Sequence, residues 1–115
     1  MLSLSIHQRY FIFRGKADMR KGFDGLSGLI RSELKMNPES GDVFVFFNGP
    51  RTHVKILCWE RDGFAIYYKR LEKGTFELLP RTENNSAITA HRLAFILQGV
   101  SLSSVKYRKR LVNAA

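Results

Sequence analysis

The chain has 115 residues, a formal charge of +9 and a sequence pI near 10.1. An apolar fraction of 44% with 12% aromatics excludes a disordered polyelectrolyte and fits one packed domain. The single cysteine, Cys58, excludes an internal disulfide framework, and no apolar run approaches the ~20 residues of a membrane span. The opening residues carry no charged leader, so a cytoplasmic protein of a reducing compartment is expected. The excess positive charge points to an anionic partner, with nucleic acid first among the classes it favours.

Arg9 to Phe13 is aromatic and β-branched and predicts a short strand ended by Gly15. Asp18 is placed to cap a helix running to about Lys35, with Phe23, Leu26, Ile30 and Leu34 at helical spacing. Asn37-Pro38 stops it. Val43 to Phe47 is apolar without interruption, the pattern of a central strand covered on both faces. Asn48-Gly49-Pro50 turns the chain into a second strand, Thr52 to Glu60. Phe76 to Leu79 suits a short edge strand, and Arg81 to Ser86 a polar loop. Thr89 caps a second helix, about Ala90 to Gln98, with Gly99 after its end.

Arg51 to Phe76 predicts one long hairpin with Arg61-Asp62-Gly63 at its tip. A three-residue loop with Gly63 left-handed is the preferred reading. It sets Val54, Ile56 and Cys58 beside Phe64, Ile66 and Tyr68 on an apolar face. Lys55, Leu57 and Trp59 then share the mixed cationic face with Ala65, Tyr67, Lys69 and Leu71. A two-residue Asp62-Gly63 turn would exchange the faces of the second strand. Arg51, Lys55, Arg61, Lys69, Arg70 and Lys73 outnumber Glu60, Asp62 and Glu72 along this ribbon. Basic side chains interleaved with Trp59, Tyr67 and Tyr68 suit a polyanion bearing stackable bases. The bland reading is an amphipathic ribbon in which the aromatics are cross-strand packing partners. The fold class expected is α+β: a mainly antiparallel sheet of four to five strands in a meander, with one helix near each end.

Four ordered segments carry a family resemblance. They are Asp18-Met19-Arg20-Lys21-Gly22-Phe23-Asp24-Gly25-Leu26, Phe44-Val45-Phe46-Phe47-Asn48, Lys55 to Phe64 and Tyr68 to Phe76. Over roughly residues 7 to 100 the chain resembles the TnpB accessory proteins of the IS sixty-six family of bacterial insertion sequences, products of the second open reading frame of the element. The resemblance implies a role in transposition beside a separate, larger transposase. In that family the turn after Phe47-Asn48 is commonly arginine-rich, whereas here it reads Gly49-Pro50-Arg51-Thr52-His53. Arg92 stands where the family commonly has an acid, so no capping box forms on the last helix.

Transposition chemistry itself uses carboxylate clusters holding divalent metals. Asp18 and Asp62 read as cap and turn residues, and Glu60 and Glu72 lie beside basic residues. His7, His53 and His91 lack metal-ligand spacing, and Cys58 alone makes no zinc site. The sequence therefore predicts no enzyme, no metal and no cofactor; Mg²⁺-dependent nuclease activity lost in Asp24→Asn would reverse that. Arg20 and Lys21 near a helix start offer an anion site, against the alternative of a tightly packed glycine-bearing turn.

The expected function is a non-catalytic helper of transposition that binds DNA. Its contacts would be Arg20, Lys21, Arg51, Lys55, Arg61, Lys69, Arg70 and Lys73, joined by the tail cations Lys106, Arg108, Lys109 and Arg110. Residues 1–105 would form the domain and 106–115 a basic arm. The alternative is a protein-interaction module that docks the transposase or a second copy of itself, motivated by a sheet with two apolar faces and only two helices to cover them.

Overall fold

The computed structural model describes residues 3–77 and 87–101. The elements in chain order are β1 (Tyr10–Ile12), α1 (Phe23–Leu29), a π-helical turn (Ile30–Leu34), β2 (Val43–Phe47), β3 (His53–Glu60), β4 (Gly63–Arg70), β5 (Thr75–Phe76), β6 (Ala87–Ile88), α2 (Ala90–Gln98) and β7 (Val100–Ser101). Five strands form one sheet in the order β4-β3-β2-β1-β6, and β5 pairs with β7 in a separate ribbon. The architecture is α+β and mostly antiparallel, as expected. The meander covers β2, β3 and β4. β1 instead runs parallel to β2, because the connection between them carries α1 across one face of the sheet.

β2 is central and buried along its whole length. Its alternating side chains feed two cores. Phe44 and Phe46 join Ala17, Leu57 and the α1-side residues Leu26 and Ile30. Val43, Val45 and Phe47 join Tyr10, Ile12, Val54, Ile56 and Phe76, together with Leu93 and Ile96 of α2. One helix therefore covers each face of β2, and the open apolar face that favoured an interaction module does not arise there.

The first helix starts later than its sequence predicts. Asp18 does not cap it. The Asp18 carboxylate accepts the Arg20 N–H at 2.9 Å, the Lys21 N–H donates to the Asp18 carbonyl at 3.0 Å, and α1 starts after Gly22, which supplies no side-chain cap. This local turn satisfies the donors that a helix start would otherwise leave open, so it competes with the helix and displaces it. At the other end Lys35 adopts φ 57° and stops the π-helical turn, while the Met36 N–H donates to the Ile30 carbonyl at 3.1 Å.

α2 agrees with its sequence signals. The Thr89 hydroxyl accepts the Arg92 N–H at 3.1 Å, and the Gly99 N–H donates to the Phe95 carbonyl at 2.7 Å. A Cβ at Gly99 would lie 2.9 Å from that carbonyl oxygen. Close approach, not a left-handed backbone, is what requires glycine there.

The hairpin register is the reverse of the preferred one. Glu60 pairs with Gly63, leaving Arg61-Asp62 as a two-residue tip, and Arg61 rather than Gly63 takes the left-handed conformation at φ 59°. Val54, Ile56 and Cys58 thus lie beside Lys69, Tyr67 and Ala65, while Lys55, Leu57 and Trp59 lie beside Tyr68, Ile66 and Phe64. The other register is preferred from the sequence because it separates a mostly apolar face from a mixed cationic one. Both faces are covered, so the adopted register gives each core its own share: Phe64 and Ile66 pack on the α1 side and Tyr67 on the α2 side. The anticipated strand continuation at 78–79 and the loop at 81–86 lie outside the described residues.

Candidate nucleic-acid interface

The ribbon's cations do not form one strip. β3 has eight residues, so its ends are separated by roughly 23 Å. Arg61 stands at the tip, in the company of Glu60, Asp62 and the Arg9–Asp42 ion pair that closes the start of β2 at 2.6 Å. Arg51, Lys69, Arg70 and Lys73 gather at the opposite end, where β2 turns into β3. The tip is mixed in charge and the base is cationic.

The base is held by a dense local network. The Asn48 carboxamide oxygen accepts the N–H groups of Thr52 and His53 at 2.9 and 3.0 Å, and its NH₂ donates to the Thr52 hydroxyl at 3.0 Å. Arg51 sits in this turn at φ 63°, with its side chain exposed. Its carbonyl accepts the Phe76 N–H at 2.8 Å, and the Leu71 N–H donates to the Thr52 carbonyl at 2.9 Å. These two bonds fold the segment bearing Lys73 back onto the turn. Lys69 and Arg70 end β4 beside them, both exposed, with Arg70 3.3 Å from Glu72.

One contributor was missed in the sequence. β1 and β2 are parallel, so the chain leaving β1 emerges at this same end, where the Ala17 N–H donates to the Phe47 carbonyl at 3.0 Å. Lys16 consequently lies against Gly49: a Cβ at that glycine would meet its side chain at 3.3 Å. Nothing local around Lys16 signals this, because only the parallel crossover brings it there.

Lys55 corrects the sequence reading. It is only 8% exposed, and its ammonium donates at 2.8 Å to both the Met19 and Lys21 carbonyls while lying 4.6 Å from the Tyr68 ring centroid. Two of its three donors are committed to the main chain, so it pins the segment before α1 to the sheet and does not present its charge to a phosphate. Arg20 is also engaged. Its guanidinium bonds both oxygens of Asp18, the closest contact being 2.8 Å, and this pairing holds the Asp18 carboxyl down at about 2. The expected anion site is further weakened by Asp24 in the first turn of α1. Lys21 is half-buried at the edge of this segment.

The ribbon aromatics divide as packing and exposure dictate. Trp59 meets Phe64 edge-on at 5.0 Å, and Tyr67 packs on the α2-side core. Tyr68 reaches solvent at 52% exposure, with the His53 ring 6.0 Å away. Cys58 is half-buried on the α2 side, and burial raises its thiol pKa. Among the described residues no group of three or more His, Cys, Asp or Glu side chains is placed to hold a metal ion, and no helix is long and apolar enough to cross a membrane. Lys106, Arg108, Lys109 and Arg110 lie outside the described residues.

Comparison with known proteins agrees with the motif reading. Residues 8–107 match the family described as IS66 Orf2 like protein. The uncharacterized protein y4hO of Sinorhizobium fredii is 33% identical over 101 residues, covering 87% of each chain. A second uncharacterized protein of the same organism, y4jC, is 26% identical over 106 residues, covering 92% of this chain and 91% of its own. No solved structure matches. With the family match spanning nearly the whole chain, the protein belongs to the IS66 Orf2-like family of transposition accessory proteins.

Proposed function

We propose that this protein assists transposition without catalysing it, by holding DNA through the cationic base of its sheet, with the basic segment 106–115 as a second arm. The observation that supports this reading is the convergence of Lys16, Arg51, Lys69, Arg70 and Lys73 from three chain segments onto one end of the sheet. Lys55, Arg20 and Arg61 leave the primary contact set, for burial, pairing and distance respectively. Exposed lysines and arginines on a turn and strand ends contact phosphates and carry little base information. Such binding is sequence-tolerant, which suits a helper beside a transposase that reads the element's ends.

The test is a salt titration of binding to a duplex. Four neutralised phosphates give a slope near −3.6 in log K against log salt, or roughly a 150-fold loss of affinity from 50 to 200 mM. The double variant Arg51→Ala/Lys69→Ala should shallow the slope by about 1.8. Arg61→Ala should leave it nearly unchanged, and removal of residues 106–115 should shallow it independently. Binding indifferent to salt, or an Arg61→Ala effect equal to that of the double variant, would refute this placement.

A further inference from the structure

The two edges of the five-stranded sheet are unlike. β6 closes one side with two residues, whereas among the described residues β4 ends the other side with an eight-residue edge. Among the described residues no strand pairs with the outer side of β4. A long open edge presents a row of unpaired N–H and C=O groups and is a template for another strand. The side chains agree: no residue of β4 is buried, while Val54 to Leu57 on its neighbour β3 all are.

The register fixes which groups point outward. The Leu71 N–H donates to the Thr52 carbonyl, and Thr52 and Leu71 continue the β3–β4 pairing by one step. Antiparallel ladders alternate bonded and non-bonded pairs, so Gly63, Ala65, Tyr67 and Lys69 turn their amides toward β3. Phe64, Ile66, Tyr68 and Arg70 turn theirs outward.

We propose that this edge pairs antiparallel with the β4 edge of a second copy of the chain, joining two five-stranded sheets across a two-fold axis at Ile66. With the axis there, outward residues meet outward residues: Ile66 faces its own counterpart and Phe64 faces the partner's Tyr68. Arg70 then stands opposite the partner's Asp62. The charge pattern favours the antiparallel direction. A parallel pairing in register would set Lys69 and Arg70 beside their own copies, which is repulsive. The antiparallel one brings the cationic end of each β4 to the tip of the other, where Glu60 and Asp62 outnumber Arg61. It also covers Tyr68, 52% exposed and otherwise an aromatic left in water. The ion pair of Arg70 with Glu72, at 3.3 Å with both side chains largely exposed, is the kind of surface pair that exchanges partners at little cost.

The experiment is the solution mass of the full chain by sedimentation equilibrium, without DNA. A dimer is expected. Asp62→Arg turns two attractive cross-strand pairs per dimer into repulsive ones and should weaken dimerisation roughly tenfold. Adding Arg70→Asp to it should restore the dimer, a recovery that loss of folding cannot mimic. Ile66→Pro removes one outward N–H and leaves the β3–β4 hydrogen bonds in place, but it also gives up the Ile66 packing on the α1-side core; it should yield a monomer whose circular dichroism remains that of the folded chain. A wild-type monomer, or a dimer whose mass ignores Asp62→Arg and Ile66→Pro, would overturn the proposal.

Discussion

Lys55→Met offers the sharpest test of how this fold handles its charge. The substitution keeps the length of the aliphatic stem, which is buried beside Leu57, and deletes the ammonium. Two hydrogen bonds of 2.8 Å, to Met19 and Lys21 carbonyls, disappear together with the contact to the Tyr68 ring. A hydrogen bond involving a charged group contributes about 1.5–3 kcal/mol, and the two carbonyls lose a partner in a mostly buried site. Methionine is spared the desolvation of a buried charge, which offsets part of the loss. The net expectation is a destabilisation of about 2–4 kcal/mol. With a urea m-value of about 1.5 kcal/mol/M for a domain of this size, the midpoint should fall by roughly 2 M. The Lys21 amide, bonded to the Asp18 carbonyl, should exchange faster with solvent as the segment before α1 loosens. Lys69→Met, on the same ribbon but exposed, is the control and should stay within about 0.5 kcal/mol of the parent. A Lys55→Met midpoint within about 0.3 M of the parent would refute the pinning role. So would equal losses in the two variants, since the claim rests on their difference in burial.

Thr89→Ala removes the one side-chain cap on α2 and should cost about 1 kcal/mol, seen as a melting temperature lower by about 4 °C; no change would mean that the helix start is held by packing alone. Asp18 gives the pH dependence. Its carboxyl titrates near 2 when folded against an ordinary value of 3.8. Its contribution to stability is therefore complete above the higher value and lost as pH falls through the lower one. The stability difference between parent and Asp18→Asn should shrink as pH drops from above 4 toward 2, and should be smaller in high salt because the pair is exposed. A difference constant over that range would show that the Arg20 pairing is not what lowers this carboxyl.

Much of the framework was legible along the chain because it depends on neighbours in sequence. The uninterrupted apolar run Val43 to Phe47 announces a strand covered on both faces. Thr89 and Gly99 bracket a helix whose cap and closing bond are local. The Asp18 cap failed for an equally local reason: an aspartate can satisfy the amide two residues on without any helix, and here it does. The tip register failed for a tertiary reason. A strand with one wet face segregates its side chains, but a ribbon flanked by helices on both sides has no such constraint.

What the sequence determined by itself is the excess of positive charge, +9 in all, and the set of elements: a mainly antiparallel sheet and two helices. The fate of each cation was decided only by the tertiary structure. Lys55 and Lys69 sit on the same ribbon, yet one is held by two carbonyls from the far side of the core and the other stands in solvent. Lys16 belongs to the cationic base only because β1 runs parallel to β2. A charged side chain carries no local signal of what lies opposite it, so its role follows from the groups that the crossover and register bring within reach.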